Sequence, residues 1–171
     1  MVDKNNPVIL VKRTAPDAKL PERALPTDSG LDVFVQGIKM FYDRNSDKQN
    51  PDRRFIDGAG WRIGQGERFL IDTGLIATVG IPGFEIQVRS RSGLALKNGL
   101  RVENSPGTID CNYRGMLGVI LINDSQESYM IKKHERIAQI VVARVELLSV
   151  KEVDELPSTD RGEGGFGHTG T

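Results

Sequence analysis

The sequence predicts an all-β protein with one short helix. Short runs rich in β-branched and aromatic residues recur along the 171 residues of the chain. Glycine and proline separate these runs at close spacing, which is typical of β-sandwiches and β-barrels. Only residues 92–99 have a helical composition, and that segment is long enough for one or two turns.

The predicted strands follow one another with few long connections. The opening strand is 7–13, and a turn at 26–30 precedes a second strand that ends at 35. In the helix, Ser92 is the predicted N-cap and Gly99 the C-terminal stop. The further predicted strands are 68–79, 84–90, 117–123, 128–131 and 136–146.

Residues 36–60 form a polar segment of mixed charge, which we predict to be a surface insertion. Asp43, Asn45 and Asp47 resemble the start of a calcium-binding loop. However, Lys48 stands where such a loop needs glycine and Arg54 where it needs a bidentate glutamate, so the sequence argues against a metal site. The insertion either docks a partner or only decorates the surface.

Composition excludes several classes of function. Lys+Arg and Asp+Glu both number 23, and this zero net charge argues against binding to nucleic acid or to an anionic membrane. Cys111 is the only cysteine, so an internal disulfide is impossible and a reducing compartment is expected. Neither a signal peptide nor a long apolar run is evident. We therefore expect a soluble cytoplasmic protein.

The C-terminal run 161–170 combines five glycines with Arg161 and Phe166. So much glycine cannot form a core of its own, but it lets the backbone approach a ligand closely. An arginine can bind phosphate through two N–H groups, and an aromatic ring can stack on a planar base. The run is either a disordered tail or a flap that closes an active site. We predict a body of residues 1–156 and a flexible flap of residues 157–171.

Three internal segments carry candidate chemistry, each with a simpler alternative. The run 89–95 places arginines and a serine at a helix start, where an anion is favoured, although an ordinary cap looks the same. In the predicted hairpin 104–115, Asp110 follows an apolar residue and either orients water in a half-closed pocket or stabilises its own turn. Period-two alternation places Arg136 and Gln139 on opposite faces of their strand.

Five segments, taken in this order, resemble the five motifs of the trimeric dUTPase family. The resemblance extends from about residue 24 to the C-terminus, so it covers most of the chain. Ser90, Asn112, Met116 and His168 depart from residues that are frequent in the family at those positions. The segments are 29–32, 91–95, 107–115, 136–139 and 161–167.

This resemblance implies a jelly-roll-like β-barrel or sandwich with an extended glycine-rich tail. It also implies hydrolysis of dUTP to dUMP and pyrophosphate with Mg²⁺, which limits uracil incorporation into DNA and supplies dUMP for thymidylate synthesis. The implied assembly is a homotrimer with its sites at subunit interfaces. The rivals are a dCTP deaminase, which shares the fold, and a regulatory protein that acts by binding a partner.

Carried over motif by motif, the resemblance implies a role for each matching residue. Asp110 is the base that positions the attacking water, and Tyr113 packs against the deoxyribose. Arg161 reaches the outer phosphates, and Phe166 lies over the uracil. Asp32 contacts the water shell of a magnesium ion that is held mainly by the substrate phosphates. For uracil, the implied contacts are the main chain of Gly107, Thr108 and Ile109, with Asn104 assisting. For the phosphates they are Ser92, Gly93 and Gln139, with Arg91 nearby. In the flap, Gly167 precedes His168, which is close to the phosphate end and either adds a donor or covers the site.

Overall fold

Thirteen short strands and one helix make up the described part of the chain. The structure is a computed structural model that describes residues 7–43, 55–56 and 58–165. Within those residues the strands form open sheets and no closed barrel, and the predicted all-β class with one short helix is confirmed. The elements are β1 (Leu10–Arg13), β2 (Leu31–Phe34), β3 (Gly37–Tyr42), β4 (Phe55–Ile56), β5 (Gly60–Ile63), β6 (Arg68–Asp72), β7 (Leu75–Thr78), β8 (Phe84–Ser90), α1 (Ser92–Asn98), β9 (Leu100–Val102), β10 (Gly107–Asp110), β11 (Gly118–Asn123), β12 (Tyr129–Ile131) and β13 (Arg136–Arg144).

Two four-stranded antiparallel sheets enclose the core. Their strand orders are β10-β8-β13-β2 and β3-β6-β11-β9. Alternate residues of each strand enter one buried cluster, such as Ile86 and Val88 from β8 and Phe69 and Ile71 from β6. Strand side chains alternate between the two faces of a sheet, so in the sheet β10-β8-β13-β2 the face opposite the core carries polar residues. That polar face carries most of the candidate site and is called the outer face below.

The predicted strand 68–79 is two strands that belong to different sheets. β6 ends at Asp72, and β7 begins at Leu75 and pairs with β1. Between them Gly74 has a φ of +68°, and a Cβ at this position would lie 2.8 Å from the Cβ of Ala18. Glycine is required here both for the backbone conformation and for space. The single-strand prediction was wrong because it continued the apolar pattern through this turn.

The predicted insertion 36–60 begins too early. Residues Gly37–Tyr42 are β3, which pairs with β6 and buries Phe41 in the core. The polar residues that follow β3 dominate the composition of 36–60, so the composition of this segment did not reveal the strand. Towards its C-terminal end, Phe55–Ile56 pairs with β5, where the rings of Phe55 and Trp61 lie 5.3 Å apart. Residues 44–54 and 57 lie outside the described residues.

Beyond β13 the chain continues to residue 165 without a further strand or helix. The division into a body of residues 1–156 and a flap of residues 157–171 remains a prediction. Among the described residues, no helix has the length and apolar character that a membrane-spanning helix needs.

Candidate active site

The junction of β8 and α1 holds the first group of candidate residues. Arg91 is the N-cap of the helix, with extended backbone angles and no capping bond from its side chain. The prediction of Ser92 as N-cap was therefore wrong, and Ser92 is instead the first helical residue. Ser92 and Gly93 are both exposed there. At the other end Gly99 adopts the left-handed conformation, with a φ of 65°, as predicted for the C-terminal stop.

Asp32 lies between two arginines. Its Oδ1 is 3.2 Å from Nε of Arg91, and its Oδ2 is 3.1 Å from Nη1 of Arg136. Arg91 also donates from Nη1 to the carbonyl oxygen of Arg136 at 2.8 Å. The Asp32 side chain is only 14% exposed, so these contacts are shielded from solvent more than a surface ion pair. The carboxylate thus holds both guanidinium groups beside the start of α1.

Gln139 joins this group because β13 is irregular at its start. In the register with β2, Arg136 is opposite Phe34 but Ala138 is already opposite Val33, so Ile137 is an extra residue. Such a bulge shifts the alternation of side chains by one position. Arg136 and Gln139 therefore lie on the same face as Asp32, and the prediction of opposite faces was wrong.

The Gln139 carboxamide is held at both ends. Its Nε2 donates to the carbonyl oxygen of Ser90 at 3.1 Å, and its Oε1 lies against Gly30. A shallow pocket of about 270 Å³ opens at this point. It is lined by Ala24, Asp28, Ser29, Gly30, Asp32 and Gln139.

Two hydrogen bonds to the Glu135 carboxylate hold the turn before Arg136. The Tyr129 hydroxyl donates to Oε1 of Glu135 at 2.5 Å, while Oε2 of the same carboxylate accepts from the Lys132 N–H at 2.9 Å. Burial of the ring, followed by the bond to the carboxylate, raises the pKa of Tyr129 to about 12. The phenol stays protonated at neutral pH and fixes the turn from which Arg136 extends.

Asp110 is the last residue of β10, and its side chain is exposed on the outer face. Its carbonyl oxygen accepts from the Tyr113 N–H at 3.1 Å, so a tight turn follows the strand. The Tyr113 hydroxyl donates to the Met116 carbonyl at 3.3 Å, which folds the exposed ring back over the turn. Within one chain, Asp110 does not lie in the half-closed pocket that the sequence suggested.

The segment 104–115 is not a hairpin. β10 pairs with β8 in the first sheet, and the next strand, β11, belongs to the second sheet. Gly107 and Ile109 point into the body, whereas Thr108 and the Asn104 side chain are exposed. Among the described residues β10 is an edge strand whose neighbour in the sheet is β8, so the backbone N–H and C=O groups on its other side lie outside that ladder.

The two halves of the site are far apart within one chain. Asp110 is opposite Glu85, and Gln139 is opposite Arg89, with one strand lying between β10 and β13. Two strand spacings of about 4.8 Å and four residues of about 3.3 Å place their Cα atoms roughly 16 Å apart. Side chains that stand on the same face at that separation do not reach the same phosphate group.

A hydrogen-bonded ladder along β8 occupies the face between the two halves. Gln87 donates from Nε2 to Oε1 of Glu85 at 2.6 Å and accepts at Oε1 from Nη2 of Arg89 at 2.6 Å. The sequence motif did not suggest this ladder, although the residues alternate along the strand. Arg136 was likewise absent from the predicted site, because the bulge that brings it to Asp32 has no sequence signature.

In the flap, Arg161 is exposed and donates from Nε to the Gly164 carbonyl at 2.7 Å. The predicted contacts Phe166, Gly167 and His168 lie outside the described residues. Within those residues, no group of three or more acidic, histidine or cysteine side chains is placed to hold a metal ion.

Several known proteins that this chain resembles belong to one family. Residues 62–170 match the family model for dUTPase. The chain is 43% identical over 163 residues to the deoxyuridine 5'-triphosphate nucleotidohydrolase of Alkaliphilus metalliredigens, covering 95% of this chain and 96% of the relative. The enzyme of the same name from Heliobacterium modesticaldum is 41% identical with the same coverage.

A solved structure of the Staphylococcus bacteriophage 80alpha dUTPase with dUPNHPP superposes with a TM-score of 0.70. It is 27% identical, and the match covers 96% of this chain and 99% of that one. The predicted jelly-roll-like class is confirmed by this similarity, and the sequence motifs and the family model agree. This chain therefore belongs to the dUTPase family.

Proposed function

We propose that this dUTPase hydrolyses dUTP to dUMP and pyrophosphate by in-line attack of water on the α-phosphorus, with Asp110 as the base that orients the water. One observation carries the proposal: Asp110 ends the edge strand β10 as an exposed carboxylate, beside backbone groups of β10 that lie outside its ladder with β8. Phosphoryl transfer needs an oriented nucleophile and fixed charge rather than covalent help from the protein. The product dUMP then serves thymidylate synthesis, and removal of dUTP limits uracil incorporation into DNA.

The phosphate end of the site is assigned to the β8–α1 junction. There Arg91 is fixed by Asp32, and Gln139 donates towards the Ser90 carbonyl just before the helix. Cationic and N–H donors set in advance stabilise the charge that develops on the transferred phosphoryl group. We assign the phosphate contacts to Arg91, Ser92, Gly93 and Gln139, with Arg161 on the outer phosphates.

The base end is assigned to β10 and the turn that follows it. Because β10 is an edge strand, its outer N–H and C=O groups can pair with the edge of uracil. Cytosine reverses the donor and acceptor on that edge and leaves buried groups unpaired, which can cost ~10⁴-fold in kcat/KM. Tyr113 then packs on the deoxyribose. The base contacts are the main chain of Gly107, Thr108 and Ile109, the Asn104 side chain and the flap residue Phe166. Gly167 and His168 follow in the flap, with His168 close to the phosphate end.

A complete site needs more than one chain, and we propose the homotrimer. The separation of Asp110 from Gln139 is one reason. The residues after β13 are another, because Leu148 is 83% exposed, Val150 100% and Leu156 83% in the isolated chain. Several exposed large apolar side chains in one extended segment are typical of a segment that a neighbouring subunit covers. In the trimer, residues 157–171 form the flap that closes a site between subunits.

Magnesium fits the site only as a substrate-held ion. Asp32 is the acidic side chain that we place beside the phosphates at the β8–α1 junction, and each of its oxygens already contacts one arginine. A carboxylate has roughly four lone pairs, so it can still accept a hydrogen from a metal-bound water. Magnesium keeps several waters and binds mainly through phosphates in such sites. When bound, it neutralises charge on the triphosphate.

The test is pyrophosphate release from each of the eight common nucleoside triphosphates, with ammonia release measured in parallel. We expect release from dUTP far above all others and none of it with Asp110→Asn. Ammonia from dCTP would identify a deaminase instead. Binding of dUTP without turnover would support the regulatory alternative.

A further inference from the structure

Gly30 lies directly against the Gln139 carboxamide. A Cβ built on Gly30 would be 2.1 Å from Oε1 and 3.0 Å from Cδ of Gln139. The backbone of Gly30 does not have a positive φ, so another residue is excluded by the lack of space rather than by strain. Any side chain at position 30 must push Gln139 out of its place.

The two ends of the Gln139 carboxamide face different surroundings. The donor end, Nε2, contacts the Ser90 carbonyl, immediately before Arg91 and the first turn of α1. The acceptor end, Oε1, faces Gly30. A carboxamide has N–H donors at one end and only an acceptor at the other, and a phosphate accepts hydrogen bonds but repels a carbonyl oxygen.

We infer that Gly30 is a positioning residue for the substrate phosphates. It leaves room for the carbonyl end of Gln139 and thereby keeps the N–H end directed at the start of α1. This inference depends on the proposed role of Gln139 as a phosphate contact. Gly30 itself touches no phosphate in this scheme, so its effect passes entirely through Gln139.

The first experiment compares Gly30→Ala with a matched glycine variant. Gly37→Ala is the control, because a Cβ at Gly37 meets nothing within 4 Å and the backbone there is not left-handed. Loss of one hydrogen bond to a charged group predicts an about ten- to hundredfold fall in kcat/KM for dUTP in Gly30→Ala, mainly through KM. Gly37→Ala should match the wild type. Wild-type kcat/KM in Gly30→Ala would overturn the inference.

The second experiment separates positioning from a general effect on the fold. In a Gln139→Ala background, Gly30→Ala should cause no further fall in kcat/KM, because the displaced carboxamide is already gone. An equal fall in both backgrounds would contradict the inference.

Crystal structures of the wild type and of Gly30→Ala give a readout that does not depend on turnover. We expect the Gln139 carboxamide to leave the Ser90 carbonyl in the variant, and an unmoved carboxamide would refute the inference. Absence of dUTP turnover in the wild type would instead refute the proposed function, so the two failures can be told apart.

Discussion

A mixture of two impaired variants should recover activity if each site is shared between chains. The variants are Asp110→Asn and Gln139→Ala, whose positions lie on the same outer face but on β10 and β13. From the strand spacing and the rise per residue, their Cα atoms are roughly 16 Å apart in one chain. One chain therefore does not place both side chains on the same α-phosphate, and the proposed site takes them from different subunits.

The size of the recovery follows from random assembly. When Asp110 and Gln139 of a site come from different chains, a one-to-one mixture gives about a quarter of the sites both wild-type residues. Each parent assembly has none. At low dUTP concentration, kcat/KM should therefore rise from the low values of the two parents to about a quarter of the wild-type value.

The assay is pyrophosphate release from dUTP after the two proteins have been unfolded together and refolded, with native mass spectrometry to verify mixed assemblies. A matched control mixes Asp110→Asn with Tyr113→Ala. Both of these positions lie in the segment that ends β10 and begins its turn, so they belong to the same half of the site. That mixture should stay at the mean of its parents.

No recovery in verified mixed assemblies of Asp110→Asn and Gln139→Ala would show that the site lies within one chain. The separation of Asp110 and Gln139 along the sheet would then be irrelevant to catalysis. Equal recovery in the control mixture would also refute the reasoning, because it would mean that Asp110 and Tyr113 of one site come from different chains.

Three further predictions test separate parts of the molecule. Asp110→Asn should keep dUTP affinity by calorimetry while turnover collapses, because it removes the base but no phosphate contact; unchanged turnover would exclude Asp110 from the mechanism. Deletion of residues 161–171 should abolish most activity without lowering the melting temperature, since the Arg161 bond lies within the tail itself; a large drop would make the tail part of the folded body. Hydrogen bonds from Lys133 and then Gln36 lower the pKa of Asp17 to about 2, from 3.8. Stability from this group is therefore present above about pH 4 and lost as the pH falls towards 2, so Asp17→Asn should lower the melting temperature at pH 7 but not at pH 2.

Local patterns predicted much of the first sheet. Alternation of apolar and polar residues at 84–90 predicted β8 with its correct bounds, and Gly99 predicted the end of α1. These features depend on neighbours in the sequence, so the sequence alone is sufficient for them. The candidate site residues that could be proposed in this way are those that belong to a short motif, such as Arg91 and Asp110.

Features that depend on distant contacts were missed. The turn at Gly74 is fixed by its approach to Ala18, and β10 finds its partner β8 across the helix and another strand. The extra residue Ile137 moves Arg136 onto the face of Asp32 without any signal in composition. Such features appear only when the strands have been paired in three dimensions.

The most direct test of a shared uracil-nucleotide site is a crystal structure with a non-hydrolysable dUTP analogue. We expect the uracil edge on the β10 backbone and the α-phosphorus between Asp110 of one chain and Gln139 of another. A ligand held by a single chain, or one bound away from Asp110, would contradict the composite site and the role of Asp110 as its base.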